Sequence, residues 1–194
     1  MFLVQAADAS VVRELVKNQV HVYRVHLDVS TSDYDGKVDY VLRAKTLEES
    51  KESSSVKVEL QFKDYRFEAL SKVLRNKLMG AGTVTLSGLG LPSQLKSEIQ
   101  NPHIWYPLLA WYVPEEVKEG KFDAVQDLGW ESRLDCKGTL KDGVYSMTGN
   151  IAGPGTASSP VALTWKLGKD GWLTSGSGEV TDQTGTIHFS ISKR

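Results

Sequence analysis

The chain has 194 residues, of which 40% are hydrophobic and 24% charged, with a formal net charge of −1. We expect one globular domain spanning residues 1–194, because this composition supplies enough apolar material for one sizeable core. The near-neutral charge gives no general attraction to nucleic acid, and no apolar run has the length of a transmembrane helix. The single cysteine, Cys136, excludes an internal disulfide.

The N-terminus contains Ala7-x-Ala9, a small-residue pattern of the kind that ends a signal peptide. It has no basic region before it and its apolar run is short, so an ordinary terminus and the stump of a longer precursor both stay open. A periplasmic or extracellular protein is one hypothesis for the compartment. Exported bacterial proteins can lack disulfides, so the single cysteine does not contradict it.

The first part of the chain, residues 10–63, predicts a short helix and then strands. Residues 11–17 have their apolar side chains at helical spacing. Residues 20–29 and 38–45 alternate apolar with polar, and the link between them ends in Asp-Gly, which predicts a β-hairpin. A third alternating strand is predicted over 56–63.

The middle part, residues 64–121, changes period. The spacing of Phe67, Leu70 and Leu78 predicts a helix over 66–79, with an extension of the sheet over 65–70 as the alternative. A short β-like run follows at 83–86. A brief helix is then predicted over 92–99.

Residues 101–121 of this middle part are rich in tryptophan, tyrosine and proline. Asn101-Pro102 is typical of a helix start, so one or two helical turns are predicted over 103–110, followed by an extended segment over 111–113. The segment either crosses over the sheet with its apolar residues in the core or lines a binding pocket with its aromatic side chains. The residues predicted to bound such a pocket are Trp105, Leu108, Leu109 and Trp111.

The last part, residues 122–194, consists of β-like segments joined by short turns, including Lys-Asp-Gly at 141–143 and 169–171. Strands joined this closely predict an antiparallel meander. The predicted fold class is therefore mainly β, as a curved antiparallel sheet of half-barrel type or a two-layer sandwich, covered by one or two short helices from residues 65–112. This outline is similar to bacterial envelope lipid-carrier domains. The resemblance is one of architecture, and no sequence motif supports it.

Motifs for catalysis or metal binding are not found in the sequence. Nucleophile-elbow, P-loop, dinucleotide and His-Glu-x-x-His patterns are missing, and Asp33-x-Asp35-Gly36 begins like a calcium loop but lacks the later ligands. His21 and His26 lie five apart on one predicted strand, so their side chains point to opposite faces and cannot share a metal unless a β-bulge intervenes. We expect no cofactor and no metal.

Other reactive side chains favour a structural role over a catalytic one. Cys136 has no histidine close in sequence, and His103 and His188 are isolated. The carboxylate pairs Glu115–Glu116 and Glu131–Asp135 are candidates for glycoside hydrolysis only because tryptophans lie near them.

Four functions stay open, in this order. The first is a non-catalytic binding domain that takes a lipid-like or other apolar ligand on a concave sheet face. The second is an envelope structural or protein-interaction module without a small ligand. A carbohydrate-binding sandwich and a hydrolase with a scattered site follow. The sequence thus favours a binding protein over an enzyme, with an apolar small molecule or another protein as its partner.

Overall fold

The computed structural model describes residues 13–32, 35–48, 56–67, 80–86, 93–97, 102–114, 120–128, 132–152 and 158–194. In these residues the protein is mainly antiparallel β, as predicted, with eleven strands and one 3₁₀ helix, η1 (Pro102–Trp111). The strands are β1 (Val20–Thr31), β2 (Asp35–Thr46), β3 (Val56–Phe67), β4 (Ala81–Leu86), β5 (Ser93–Ser97), β6 (Lys121–Leu128), β7 (Ser132–Lys141), β8 (Val144–Ala152), β9 (Ser159–Leu167), β10 (Leu173–Thr181) and β11 (Gly185–Lys193).

All eleven strands belong to one sheet, in the order β5-β4-β3-β2-β1-β11-β10-β9-β8-β7-β6. Each strand pairs with its neighbour in sequence, except that β1 also pairs with β11 and η1 separates β5 from β6. Val25 therefore lies opposite Tyr40 on one side and Ile191 on the other. Of the two predicted architectures, the single curved sheet is confirmed and the two-layer sandwich is not formed.

The alternation in the sequence places one face of this sheet in the core. Tyr23, Val25 and Leu27 of β1 are buried, whereas Arg24 and His26 lie on the other face. The same period-two pattern repeats on β2 and β11, because successive side chains of a strand point to opposite sides. The apolar face is thus continuous across β2, β1 and β11, where the N-terminal and C-terminal parts of the sheet meet.

The Lys-Asp-Gly turn between β7 and β8 is the tight hairpin that the sequence predicts. Asp142 and Gly143 both have positive φ, of 52° and 73°. This is the backbone of a type I′ turn, whose twist matches that of the flanking strands. The second such turn, at 169–171, belongs to a longer link in which Gly171 also has positive φ.

Contacts from strands near opposite ends of the sheet to η1 and to Tyr112, the residue after it, show how strongly the sheet curves. The ring of Trp105 lies 5.1 Å from that of Phe62 on β3, and the ring of Tyr112 lies 6.1 Å from that of Phe122 on β6. In a flat sheet β3 and β6 would be roughly 38 Å apart at the usual spacing of about 4.8 Å per strand. The edge strands β5 and β6 also approach each other, with Cα atoms within 8 Å. The sheet therefore wraps around η1.

Two of the predicted helices are wrong in the described residues. Residues 13–19 form an irregular segment, in which Leu15 is buried but Val16 is half exposed, instead of the helix predicted over 11–17. Residues 93–97 form strand β5, not a brief helix, because the edge of β4 offers them backbone hydrogen-bond partners. Tertiary pairing outweighs local spacing in both places.

The helix predicted over 66–79 is wrong at its start, because β3 continues to Phe67. The alternative, an extension of the sheet, is confirmed as far as that residue, and the remainder of both predictions lies outside the described residues. The helical turns predicted over 103–110 are confirmed by η1. In the described part of the chain, we find no helix long and apolar enough to cross a membrane.

Candidate functional site

The candidate site is the concave side of the sheet, which η1 occupies. The helix contains no Asp, Glu, Lys or Arg, and apart from His103 and Tyr106 its residues are apolar, which agrees with the burial of every residue from 104 to 111. Pro107 lies inside it, and its ten residues exceed the usual length of a 3₁₀ segment. The surrounding sheet therefore helps to maintain its geometry.

The four residues predicted to bound a pocket all lie on η1 and point into protein. Trp105, Leu108, Leu109 and Trp111 are between 0% and 3% exposed. The structure brings them together on one element, as predicted, and packs them among side chains of the sheet. The pocket itself stays a prediction.

Aromatic contacts connect η1 to the sheet. Trp105 meets Phe62 edge to face, with ring planes at 88°. Trp111 lies with its ring centroid 5.5 Å from Tyr23 and 5.6 Å from Trp172. Such offset and edge-to-face pairs contribute about 0.5–1.5 kcal/mol each beyond the area they bury.

Hydrogen bonds from side chains satisfy carbonyl groups along η1 and just after it. The Tyr40 hydroxyl donates to the carbonyl oxygen of Ile104 at 3.0 Å, and the Trp165 indole N–H donates to that of Tyr112 at 3.0 Å. The Arg13 guanidinium donates to the carbonyl oxygen of Trp111. The helix is thus anchored by the sheet near its start and its end.

Residues 13–19, which we call the N-terminal strap, cover one end of the concave face. The backbone N–H of Glu14 donates to the carbonyl of Asp170 at 2.9 Å, and the indole N–H of Trp172 donates to the carbonyl of Glu14 at 2.7 Å. At the other end of the strap, the backbone N–H of Asn18 donates to the carbonyl of Thr46. These bonds fix the strap to both halves of the sheet.

A cluster of polar groups is buried beneath the strap, and we call Arg13, His21, Tyr23 and Trp111 the donor cluster. Arg13 and His21 are 2% and 4% exposed, and Tyr23 and Trp111 are fully buried. The Arg13 guanidinium carbon lies 5.2 Å from the ring centroid of Trp172, and the imidazole of His21 stacks on the same ring at 4.0 Å. The ring of Trp172 is therefore in contact with both the Arg13 guanidinium and the His21 imidazole.

Burial changes the proton affinities of the donor cluster. It lowers the pKa of Arg13 to about 10, which leaves the guanidinium charged at neutral pH. It lowers the pKa of His21 to about 4, with a smaller contribution from Lys193, so this imidazole is neutral. Burial also raises the pKa of Tyr23 well above its usual value, so the hydroxyl keeps its proton.

Several polar atoms of the cluster have no hydrogen-bond partner in the part of the chain that the structure describes. They are the Tyr23 hydroxyl, the Trp111 indole nitrogen and both ring nitrogens of His21. A buried polar atom without a partner costs about 1–3 kcal/mol, so such atoms are uncommon in proteins. The alternation over 20–29 does not indicate this cluster, since Trp111 lies far in sequence from the other three members.

The outer face of the sheet carries a shallow depression over β6, β7 and β8, with a volume of about 730 Å³. Lys121, Asp123, Lys137 and Thr139 line it and are exposed, whereas Met147 beneath them is buried. This depression therefore lies on the opposite side of the sheet from η1. It is open and mixed in charge.

The other candidates from the sequence are dispersed. As predicted, His21 and His26 lie on opposite faces; His26 pairs with Asp39 at 2.9 Å on the exposed side, as His188 pairs with Glu179 at 3.2 Å. Among the described residues, no three His, Cys, Asp or Glu side chains are grouped for a metal ion. The sites outside the described residues are Asp33, Glu115, Glu116, Glu131 and the side chain of His103.

Cys136 is buried on β7, and its exposure is only 2%. Burial raises the pKa of its thiol to about 11, although a backbone hydrogen bond from Asn150 opposes this shift. A thiol that stays protonated at neutral pH is a poor nucleophile. Four of the five tryptophans, 105, 111, 165 and 172, are also buried and present no exposed stacking face.

The fold and the site define an all-β protein with a strongly curved antiparallel sheet and an apolar helix on its concave side. The sequence matches no protein-family model, and no curated protein is detectably similar to it.

Proposed function

We propose that the protein is a non-catalytic binding domain that takes a lipid-like or other apolar ligand between the concave face of its sheet and η1. The observation that carries this proposal is a mainly apolar helix, buried over residues 104–111, within one curved sheet. The interior of an eight-stranded barrel holds its own side chains or one small ligand, and a barrel of eleven strands can enclose a helix. In an interior of this kind, an apolar ligand can take the place of some of the side chains that pack there.

The expected position of the apolar ligand follows from the packing of η1. Its neighbours are mainly β9, β10 and β11, so the ligand would lie between those strands and η1, beside the buried Leu108, Leu109 and Trp111. No ion pair fixes η1 to the sheet in the described residues. Besides the side-chain hydrogen bonds near its two ends, dispersion and ring contacts hold it. These contacts can re-form with an acyl chain because they need no particular partner.

Titration with a fluorescent apolar probe, N-phenyl-1-naphthylamine, tests the proposal. We expect saturable uptake of one probe per chain with a rise in emission, and displacement by an acyl-chain ligand. Leu108→Ala should change the probe affinity by at least about threefold, because it reshapes the site. Leu86→Ala is the matched control: this leucine is equally buried, but on β4. A folded protein that gives no saturable uptake would contradict the proposal.

A second candidate, a protein-interaction module without a small ligand, is favoured by the tight burial of the four residues on η1. It would use the edge strand β6, where Val125 is 50% exposed and pairing groups face outward. Light scattering on the wild type and on Val125→Lys distinguishes the two. A mass above that of the single chain, lost in the variant, supports this candidate.

A further inference from the structure

Two hydrogen-bond donors on the concave face, the Tyr23 hydroxyl and the Trp111 indole N–H, have no acceptor among the described residues. Both side chains are fully buried, and their rings are in contact, with centroids 5.5 Å apart. A buried donor that gives up its hydrogen bonds to water without gaining a new one is costly to the folded protein. An acceptor on a bound ligand would remove that cost, and this inference therefore rests on the proposed function.

The fold gives these two donors an aromatic environment. Tyr23 lies on the inward face of β1, two residues after His21, so the two side chains point to the same side of the sheet. The rings of Trp111 and His21 both contact that of Trp172, with centroids at 5.6 Å and 4.0 Å. The imidazole of His21 adds two ring nitrogens that also lack a partner among the described residues.

The groups that this region leaves for a ligand are neutral. Burial raises the pKa of Tyr23, so its hydroxyl keeps the proton, and burial lowers the pKa of His21 to about 4. Arg13 is engaged within the protein, because it donates to the carbonyl of Trp111, lies over the ring of Trp172 and has a further interaction. Its charge is therefore not free for a ligand, and recognition depends on the hydrogen bonds of neutral groups.

We propose that Tyr23 and Trp111 donate hydrogen bonds to the carbonyl oxygen of an ester or ketone group, near one end of an acyl-chain ligand that lies along η1. An indole N–H can only donate, and a carbonyl oxygen can only accept, so the two are complementary. The oxygen has two lone pairs and can therefore accept from the tyrosine hydroxyl as well. No charge on the ligand is needed, since both donors are neutral. The carbonyl group lies at the end of the concave face that the N-terminal strap covers.

Two ligands of the same shape, decan-2-one and 2-methyl-1-decene, test the proposal, because a methylene group replaces the carbonyl oxygen in the second. Headspace gas chromatography over solutions of the full chain measures the binding of each. Tyr23→Phe should lower the affinity for the ketone by about three- to tenfold, the usual contribution of one hydrogen bond, without lowering that for the alkene. The variant is compared with the wild type for each ligand separately, so the cost of removing that ligand from water cancels.

Tyr145→Phe is the matched control for this substitution. Tyr145 is also buried, but on β8, where its ring stacks on that of Trp165. We expect the control to change neither affinity. Infrared spectroscopy gives an independent readout: the C=O stretch of bound decan-2-one should lie at lower wavenumber than in hexane, because hydrogen bonds weaken the C=O bond. In Tyr23→Phe it should move back towards the value in hexane.

The possible outcomes separate this inference from the proposed function. If Tyr23→Phe leaves the ketone affinity and the C=O stretch unchanged, the two donors serve another partner, such as an internal water molecule, and the inference is overturned. An equal loss of affinity for the ketone and the alkene would overturn it as well. In both cases the proposed function stands. If the wild type binds neither ligand, the proposed function fails together with the inference.

Discussion

The imidazole of His21 stacks on the indole of Trp172, with ring centroids 4.0 Å apart and ring planes inclined by 21°. This contact joins the start of β1 to the start of β10, at the end of the sheet that the N-terminal strap covers. It also removes the imidazole from water, which is why its pKa is lowered to about 4. The stability of the fold should therefore depend on pH through this residue.

We expect the free energy of unfolding to fall as the pH is lowered from about 6.5 towards 4. In that window the unfolded chain binds a proton at His21 and the folded chain does not, so acid favours unfolding. The shift from 6.5 to about 4 corresponds to a loss of about 3 kcal/mol. Urea unfolding of the wild type and of His21→Phe across this range measures it. Equal pH slopes for the two proteins would contradict the buried, neutral histidine.

Removal of the hydroxyl from Tyr40 and from Tyr23, both buried, should have different effects on the stability of the protein. Tyr40→Phe removes the hydrogen bond to the carbonyl of Ile104 and should cost about 1 kcal/mol of stability. Tyr23→Phe removes a hydroxyl without a partner in the described residues and should be neutral or stabilising. Chemical unfolding of both variants provides the measurement. If Tyr23→Phe destabilises as much as Tyr40→Phe does, the Tyr23 hydroxyl has a partner within the protein.

The close approach of η1 to β10 depends on Gly176. A Cβ atom at this position would lie 2.9 Å from the Cβ of Ala110 and 3.2 Å from that of Trp165. Gly176→Ala should therefore push the helix away and cost about 1–3 kcal/mol.

The control for this prediction is Gly143→Ala, because a Cβ atom there meets no other atom within 4 Å. Only its positive φ opposes the substitution, at a cost of about 1–2 kcal/mol. The two variants differ in their effect on tryptophan: near-UV circular dichroism should change for Gly176→Ala and stay as in the wild type for Gly143→Ala. An unchanged spectrum for Gly176→Ala would contradict the packing of η1 on β10.

Cys136 should be almost unreactive in the folded protein. Its thiol is buried and its pKa is raised to about 11, so little thiolate is present at neutral pH. Labelling with a disulfide reagent should be slow under native conditions and complete within minutes in denaturant. The denatured protein, in which the thiol is exposed, is the control. Native labelling as rapid as that of the control would show that the β7 region opens readily.

Much of the sheet was predictable because alternation along a strand is a local signal. The apolar side chains of 20–29 and 38–45 fix which face is buried, and the Asp-Gly and Lys-Asp-Gly links fix antiparallel neighbours. The burial of Trp105 and Trp111 was one of two interpretations that their apolar context left open, the other being a pocket lined by aromatic side chains. Local spacing was sufficient wherever the structure repeats with a period of two.

Local spacing failed where partners lie far away in the chain. The strap at 13–19 has the apolar spacing of a helix, but its conformation is set by hydrogen bonds to Asp170 and Trp172. The donor cluster joins the strap, β1 and η1, and no pattern within any one of them indicates it. The pairing of β4 with β5 likewise overrides the helical tendency of residues 93–97.

Native mass spectrometry of the full chain, before and after addition of dodecanoic acid, tests most directly whether the sheet and η1 enclose an apolar ligand. We predict one dominant complex with a single ligand per chain of 21.4 kDa, reached at equimolar ligand and unchanged by further excess. A spectrum that contains only the ligand-free chain, or a continuous series of adducts that grows with concentration, would contradict the enclosed site.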